Sequence, residues 1–179
     1  MAKKRFKSDL SISGIKQLQK DIIKYQNALP NKARLLAERL AEMGVEVINV
    51  KIEESPLGKY VSVRTDISAD KMGCKAILIA TGQVKQSEEY EPFSTLLAIE
   101  FGAGIYHNPI ANPNAEDFGL CVGTFPGQIH AFEDGWYFWD EEKQQWMYTH
   151  GVKATMPMYQ ASLEIQKNVV KIAKQIFGS

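Results

Sequence analysis

Apolar residues recur at helical spacing in three long stretches and alternate in several shorter ones. At the N-terminus Phe6, Ser8, Leu10 and Ile12 alternate loosely with Lys7, Asp9 and Ser11, which predicts a first strand ending at Gly14. Ile15, Leu18, Ile22 and Tyr25 then predict a short amphipathic helix. Pro30 is expected to close it, because the residue before a proline, Leu29, is pushed away from helical angles. The same proline suits the first position of a second helix. That helix is expected to run to about Glu53 and to be roughly 34 Å long at 1.5 Å per residue. Leu36, Leu40, Met43, Val47 and Val50 form one stripe on it; Ala33, Ala37, Ala41, Gly44, Ile48 and Ile52 form a second of smaller residues. An apolar arc this wide predicts contact on two sides. Glu38, Glu42, Glu46, Asn49 and Glu53 form its polar face.

Ser55-Pro56-Leu57-Gly58 predicts a turn. Tyr60 to Ile67 alternates, as a strand with one wet face does, and Ala76 to Ala80 is continuously apolar, as in a strand buried on both faces. Gly82 to Glu91 reads as loop, and Pro92 is expected to open a short helix, Phe93 to Phe101, stopped by Gly102 and Gly104. Phe101 to Ala131 has no period and is rich in Gly, Asn and Pro, yet Phe118, Leu120, Val122, Phe125 and Ile129 make it too apolar for a solvated linker. It is expected to pack on its own domain or on a neighbour.

Gly135 to Met158 organises the rest. It holds all three tryptophans, Trp136, Trp139 and Trp146, in two aromatic runs joined by the polar segment Asp140 to Gln145. Such runs fit a pleated surface and predict a β-hairpin with a loop of about four or five residues. Beyond Pro157, the stripe Met158, Ala161, Ile165, Val169, Ile172 and Ile176 predicts a C-terminal helix, with Lys171 and Lys174 near its end where the helix dipole favours cations. The expected fold is α+β: an antiparallel sheet with an aromatic β-hairpin, packed against a long second helix and a C-terminal helix. One domain, 1–179, is expected, with a long Gly/Pro/Asn-rich loop at 102–131.

Composition narrows the function. Lys and Arg total 21, as do Asp and Glu, so the formal net charge is zero. That argues against a general nucleic-acid or membrane-surface binder and leaves self-association unopposed. Two cysteines, Cys74 and Cys121, make no disulfide framework. The basic N-terminus has no apolar core of a signal peptide. There is no phosphate-cradling loop, nucleotide fingerprint or nucleophile elbow. His107, His130 and His150 with Glu100 and Asp134 are the residue types a metal site would use, but their spacing carries no ligand pattern. Cys121 beside a histidine would be the nucleophile of a thiol enzyme. Glu100 lies in the most apolar surroundings of any acid in the chain. It reads either as a general acid or base with a raised pKa or, on the more ordinary reading, as a structural carboxylate bonding backbone amides of the Gly-rich loop or pairing with a cation. Trp136, Trp139 and Trp146 could form a sugar-stacking platform, though such aromatics more often divide between core and interface.

Three segments resemble one family in order. Ile99-Glu100-Phe101-Gly102-Ala103-Gly104 resembles the Val-Glu-Phe-Gly-Thr-Gly element of phage head–tail joining proteins. The hairpin from Gly135 to Gly151 resembles the aromatic hairpin that follows it there, and Ala154 to Ala161 resembles the Pro-Phe-Met-x-x-Ala start of the family's last helix. Gly123 to Gln128 is similar to an insertion in members from phages of Gram-positive bacteria. Ala103 stands where the family has Thr, and Met158 where it has Phe. The resemblance implies a tail-completion, neck or minor tail protein of a long-tailed double-stranded DNA phage or prophage. It implies a ring homo-oligomer of sixfold order in the virion, meeting the tail tube or tail terminator and the head connector, with genome DNA passing through unread. It implies no enzyme activity and no cofactor, catalytic residue or metal. An acidic helix face lining the channel would keep passing DNA from sticking. The candidate subunit-interface residues are Phe101, Tyr106, Phe118, Phe125, Trp136 and Trp139. The alternatives are a small metal-dependent hydrolase using Glu100 and the loop histidines, and a carbohydrate-binding module built on the Trp-rich hairpin.

Overall fold

The computed structural model describes residues 6–9, 11–69, 73–85, 93–119, 135–140 and 143–178. The fold is α+β, with a long helix and a C-terminal helix. Its elements are α1 (Ile12–Glu53), β1 (Val61–Ala69), β2 (Cys74–Gly82), β3 (Val84–Lys85), β4 (Phe93–Ser94), α2 (Thr95–Phe101), β5 (Ala103–Gly104), β6 (Trp136–Asp140), β7 (Gln145–Thr149), β8 (Gly151–Val152) and α3 (Pro157–Phe177). The described strands pair two by two: β1 with β2, β3 with β4, β5 with β8, β6 with β7. The chain divides into two compact units, one of 1–45, 65–79 and 163–179, the other of 46–64 and 80–162.

In the first unit the N-terminus departs from expectation. Residues 6–9 are not a strand, and the helix starts at Ile12. Ser11 is the reason: its Oγ accepts the Gly14 N–H at 3.0 Å, an N-cap that satisfies one of the helix's orphan donors. Asp9 accepts the Ser11 N–H at 3.1 Å and steadies the cap. Two expected helices are one, and the long helix is the first: α1 runs for 42 residues with Pro30 inside it. A proline there removes one backbone bond, a cost of about 3 kcal/mol that a long helix can absorb while amphipathic residues continue on both sides. The small-residue stripe is the one that is buried. Ala41 is 3% exposed, and a Cβ on Gly44 would come within 2.7 Å of Leu78 and 3.0 Å of Ile165. The hydrogen at Gly44 is what lets β2 and α3 approach α1 this closely. β2 is not buried on both faces: none of its residues is fully buried, and Ile77 is 40% exposed.

In the second unit Ile48 and Ile52 continue the stripe, buried at 0% and 7% exposure. α2 is shorter than expected, because Phe93 and Ser94 pair with Val84 and Lys85 as a strand. Ser94 then caps the helix by accepting the Leu97 N–H. Gly102, at φ +81°, ends it. The long loop is partly structured: β5 and two 3-10 turns, Pro109–Ala111 and Glu116–Phe118, occupy its first half. Its remainder, 120–134, lies outside the described residues.

Candidate functional site

The second unit is built on a hydrogen-bonded junction around Ile99 to Gly104. The Ile99 carbonyl accepts the Thr155 N–H at 2.9 Å and the Met156 N–H at 3.3 Å. The Glu100 carboxylate is 6% exposed and fully engaged. Oε2 accepts the Met158 N–H at 3.0 Å; Oε1 accepts the Tyr159 N–H at 3.0 Å and the Asn112 side-chain amide at 2.9 Å. Pro157, at the first position of α3, has no N–H, so these are the first two donors that the helix presents. Glu100 thus caps α3 from another element, where the helix dipole favours negative charge. Burial nonetheless pushes its pKa above the ordinary carboxylate value, with the three hydrogen bonds pulling the other way. The sequence reading of a structural carboxylate held by backbone amides describes this geometry, but the amides belong to α3 and not to the Gly-rich loop.

One step along the chain, Ala103 and Gly104 pair with Val152 and Gly151. Gly104, at φ +63°, faces the His150 carbonyl and the Trp136 ring, and a Cβ would collide with both. Ala98, Ala103 and Val152 form a small core, covered by Leu57, Phe93 and Trp136. Phe101 and Ala115 form another with Leu97.

The hairpin rises from this junction. Trp136 pairs with Thr149, Tyr137 with Tyr148, Phe138 with Met147, Trp139 with Trp146 and Asp140 with Gln145, the last pair before the turn. The side chains of a strand alternate in direction. One face therefore carries Trp136 and Met147, and Trp136 is seated on the core. The other carries Tyr137, Trp139, Trp146 and Tyr148, exposed by 67%, 41%, 66% and 46%. These four form two cross-strand edge-to-face pairs, with centroids 5.1 Å apart for the tyrosines and 5.7 Å for the tryptophans. His150 extends the row edge-on to Tyr148 at 5.1 Å. With about 200 Å² for a fully exposed aromatic side chain, the four leave roughly 440 Å² of ring surface facing out. A patch of that size is on the scale of the largest apolar patch of a typical monomer, which is often functional.

The sequence-predicted contact residues scatter. Phe101 is 1% exposed and belongs to the core of its own chain, because it closes α2 against Ala115; it is not a surface residue. Tyr106 is 47% exposed and Trp139 is 41% exposed. Trp136 is half-buried and serves as the foot of the hairpin. Phe125 and the side chain of Phe118 lie outside the described residues. Tyr137 and Tyr148, which the sequence reading did not single out, share the exposed face of the hairpin with Trp139 and Trp146, and alternation within each aromatic run puts Tyr137 with Trp139 and Trp146 with Tyr148. His107 is half-buried, which lowers its pKa, and His150 stacks on the hairpin. Among the described residues no three of His, Cys, Asp or Glu converge as a metal site; His130, Cys121 and Asp134 lie outside them. Nor is any helix of the described residues long and apolar enough to cross a membrane. No protein-family model, curated protein or solved structure matches the chain.

Proposed function

We propose that this chain is a structural assembly protein of a long-tailed phage or prophage, which completes the tail or joins head to tail as a ring-forming subunit. The observation that carries the reading is the junction. The three segments that resemble head–tail joining proteins are 99–104, the hairpin and 154–161, far apart in sequence. They meet here through the Ile99 carbonyl, the Glu100 carboxylate, the β5–β8 pair and Trp136. A shared set of motifs is more telling when its members support one another physically than when they lie scattered. The junction holds the aromatic face of β6 and β7 outward on a short ribbon, as a subunit that completes itself against neighbours requires. In this reading the protein resides in the tail or neck of the virion. Its neighbours are its own copies, the tail tube or terminator and the head connector, and the genome passes through without sequence recognition. It acts without catalysis or cofactor.

Deleting the gene tests the reading: filled heads and tails that fail to join or finish are expected. Normal infectious particles would overturn it. Specific glycan binding by the purified chain, lost in Trp139→Ala and Trp146→Ala with folding intact, would turn the assignment to carbohydrate recognition.

A further inference from the structure

The first helix carries two strips of opposite charge. Lys16, Lys20 and Lys24 succeed one another at four-residue spacing in its first half, Glu38 and Glu42 do so in its second, and Glu46 continues the acidic series. Residues four apart are neighbours on a helix surface, so each series is a continuous strip. The three lysines and Glu42 are exposed and Glu38 is half-buried. Glu38 holds Arg34 at 2.7 Å, and among the described residues none of the three lysines, nor Glu42, has an ion pair. Exposed aliphatics adjoin both strips. Ile12, 77% exposed, lies four residues before Lys16; Ile23, 47% exposed, three after Lys20; Leu35, 39% exposed, three before Glu38. No residue from Ile12 to Pro30 is buried. A helical segment of that length with no core of its own is marginal in water.

We propose that the basic strip of α1 docks on the acidic strip of a second copy of this chain, head to tail, with Ile12, Ile23 and Leu35 closing the contact. The spacing is self-complementary. A stagger of 22 residues, the separation of Lys16 from Glu38 and of Lys20 from Glu42, aligns the pairs together, and Lys24 meets the continuing series at Glu46. A head-to-tail contact leaves one strip of each copy free for the next, the kind of contact that propagates into a ring where its rotation closes and into a filament where it does not. Zero formal net charge means that no overall repulsion opposes it. Exposed pairs are individually weak, so the strips set register and the aliphatics add burial. The contact assigns Glu38 and Glu42 to a subunit interface in place of a channel wall. It stands independently of the virion assignment.

Sedimentation of the purified full chain across a concentration series tests it. Self-association is expected at about 0.01 M salt, weakened tenfold or more at about 1 M, where charges are screened beyond about 3 Å. Reversing the basic strip (Lys16→Glu, Lys20→Glu, Lys24→Glu) or the acidic one (Glu38→Lys, Glu42→Lys) is expected to weaken association about tenfold or more. Mixing the two reversed chains is expected to restore it. Circular dichroism checks that each variant keeps its helix; where reversal unfolds the chain, the Lys→Gln triple replaces it and is expected to weaken association likewise. A chain that stays monomeric at low salt overturns the contact, as do reversals that leave association unchanged. A monomeric chain whose deletion still blocks head–tail joining would overturn this contact and leave the assembly role standing.

Discussion

Glu100 shows how one side chain can hold a fold together while looking, in sequence, like chemistry. Its apolar neighbours suggest an activated acid, and burial does raise its pKa. But its oxygens already accept three hydrogen bonds, two of them from the start of α3. Replacing it with glutamine removes one acceptor and points an amide donor at a backbone donor, so Glu100→Gln is expected to lower stability by about 1–3 kcal/mol in chemical denaturation. The linkage has a definite sign. The folded pKa is raised, so the stabilising contribution is complete below the ordinary carboxylate pKa and is lost as pH rises through the raised value. His107 acts oppositely. Its folded pKa is lowered by burial, so its contribution is present above about 6.5, the ordinary histidine value, and is lost as pH falls. Denaturation midpoints measured from pH 7 to 5 are expected to fall less in His107→Gln than in the parent chain.

Among the elements, α1 and the β5–β8 ribbon make contrasting use of special residues. Pro30 interrupts the bonding of α1 without ending it, which means that the helix is sustained by what flanks the proline. Pro30→Ala restores the missing N–H and is expected to stabilise the chain by up to about 3 kcal/mol, read as a raised melting temperature. Gly151 is the reverse case. It sits at φ +121° with the Ala103 carbonyl against its α-carbon, so both backbone angle and space demand glycine. Gly151→Ala is expected to cost roughly 2–4 kcal/mol and to loosen the foot of the hairpin. The tip of the same hairpin tolerates change, because the ring contacts of Tyr137, Trp139 and Trp146 among the described residues are their cross-strand pairs.

At the scale of the molecule that tolerance separates stability from function. Tyr137→Ser with Trp146→Ser removes two cross-strand aromatic pairs and is expected to cost no more than about 2 kcal/mol, up to about 1 for each, and, on the proposed assembly role, to abolish formation of infectious particles. Trp136→Ala is expected to unfold the ribbon instead, since Trp136 covers the core. By itself the sequence determined the α+β class, the aromatic hairpin, the turn at Ser55 to Gly58 and the helix after Pro157, because periodicity and turn chemistry are local and need no partner elsewhere. It also set out the small residues of α1 as a stripe of their own, though which stripe is buried was seen only in the fold. Only the tertiary structure decided the rest. Whether Pro30 ends a helix depends on the balance of contacts around it. Phe101 points inward because α2 packs that way, and the hairpin turns its tyrosines and tryptophans outward because Trp136 takes the inner face. The role of Glu100 rests on donors 12, 58 and 59 residues along the chain. No window of sequence contains such a pairing, since long-range contacts are settled only when the chain closes on itself.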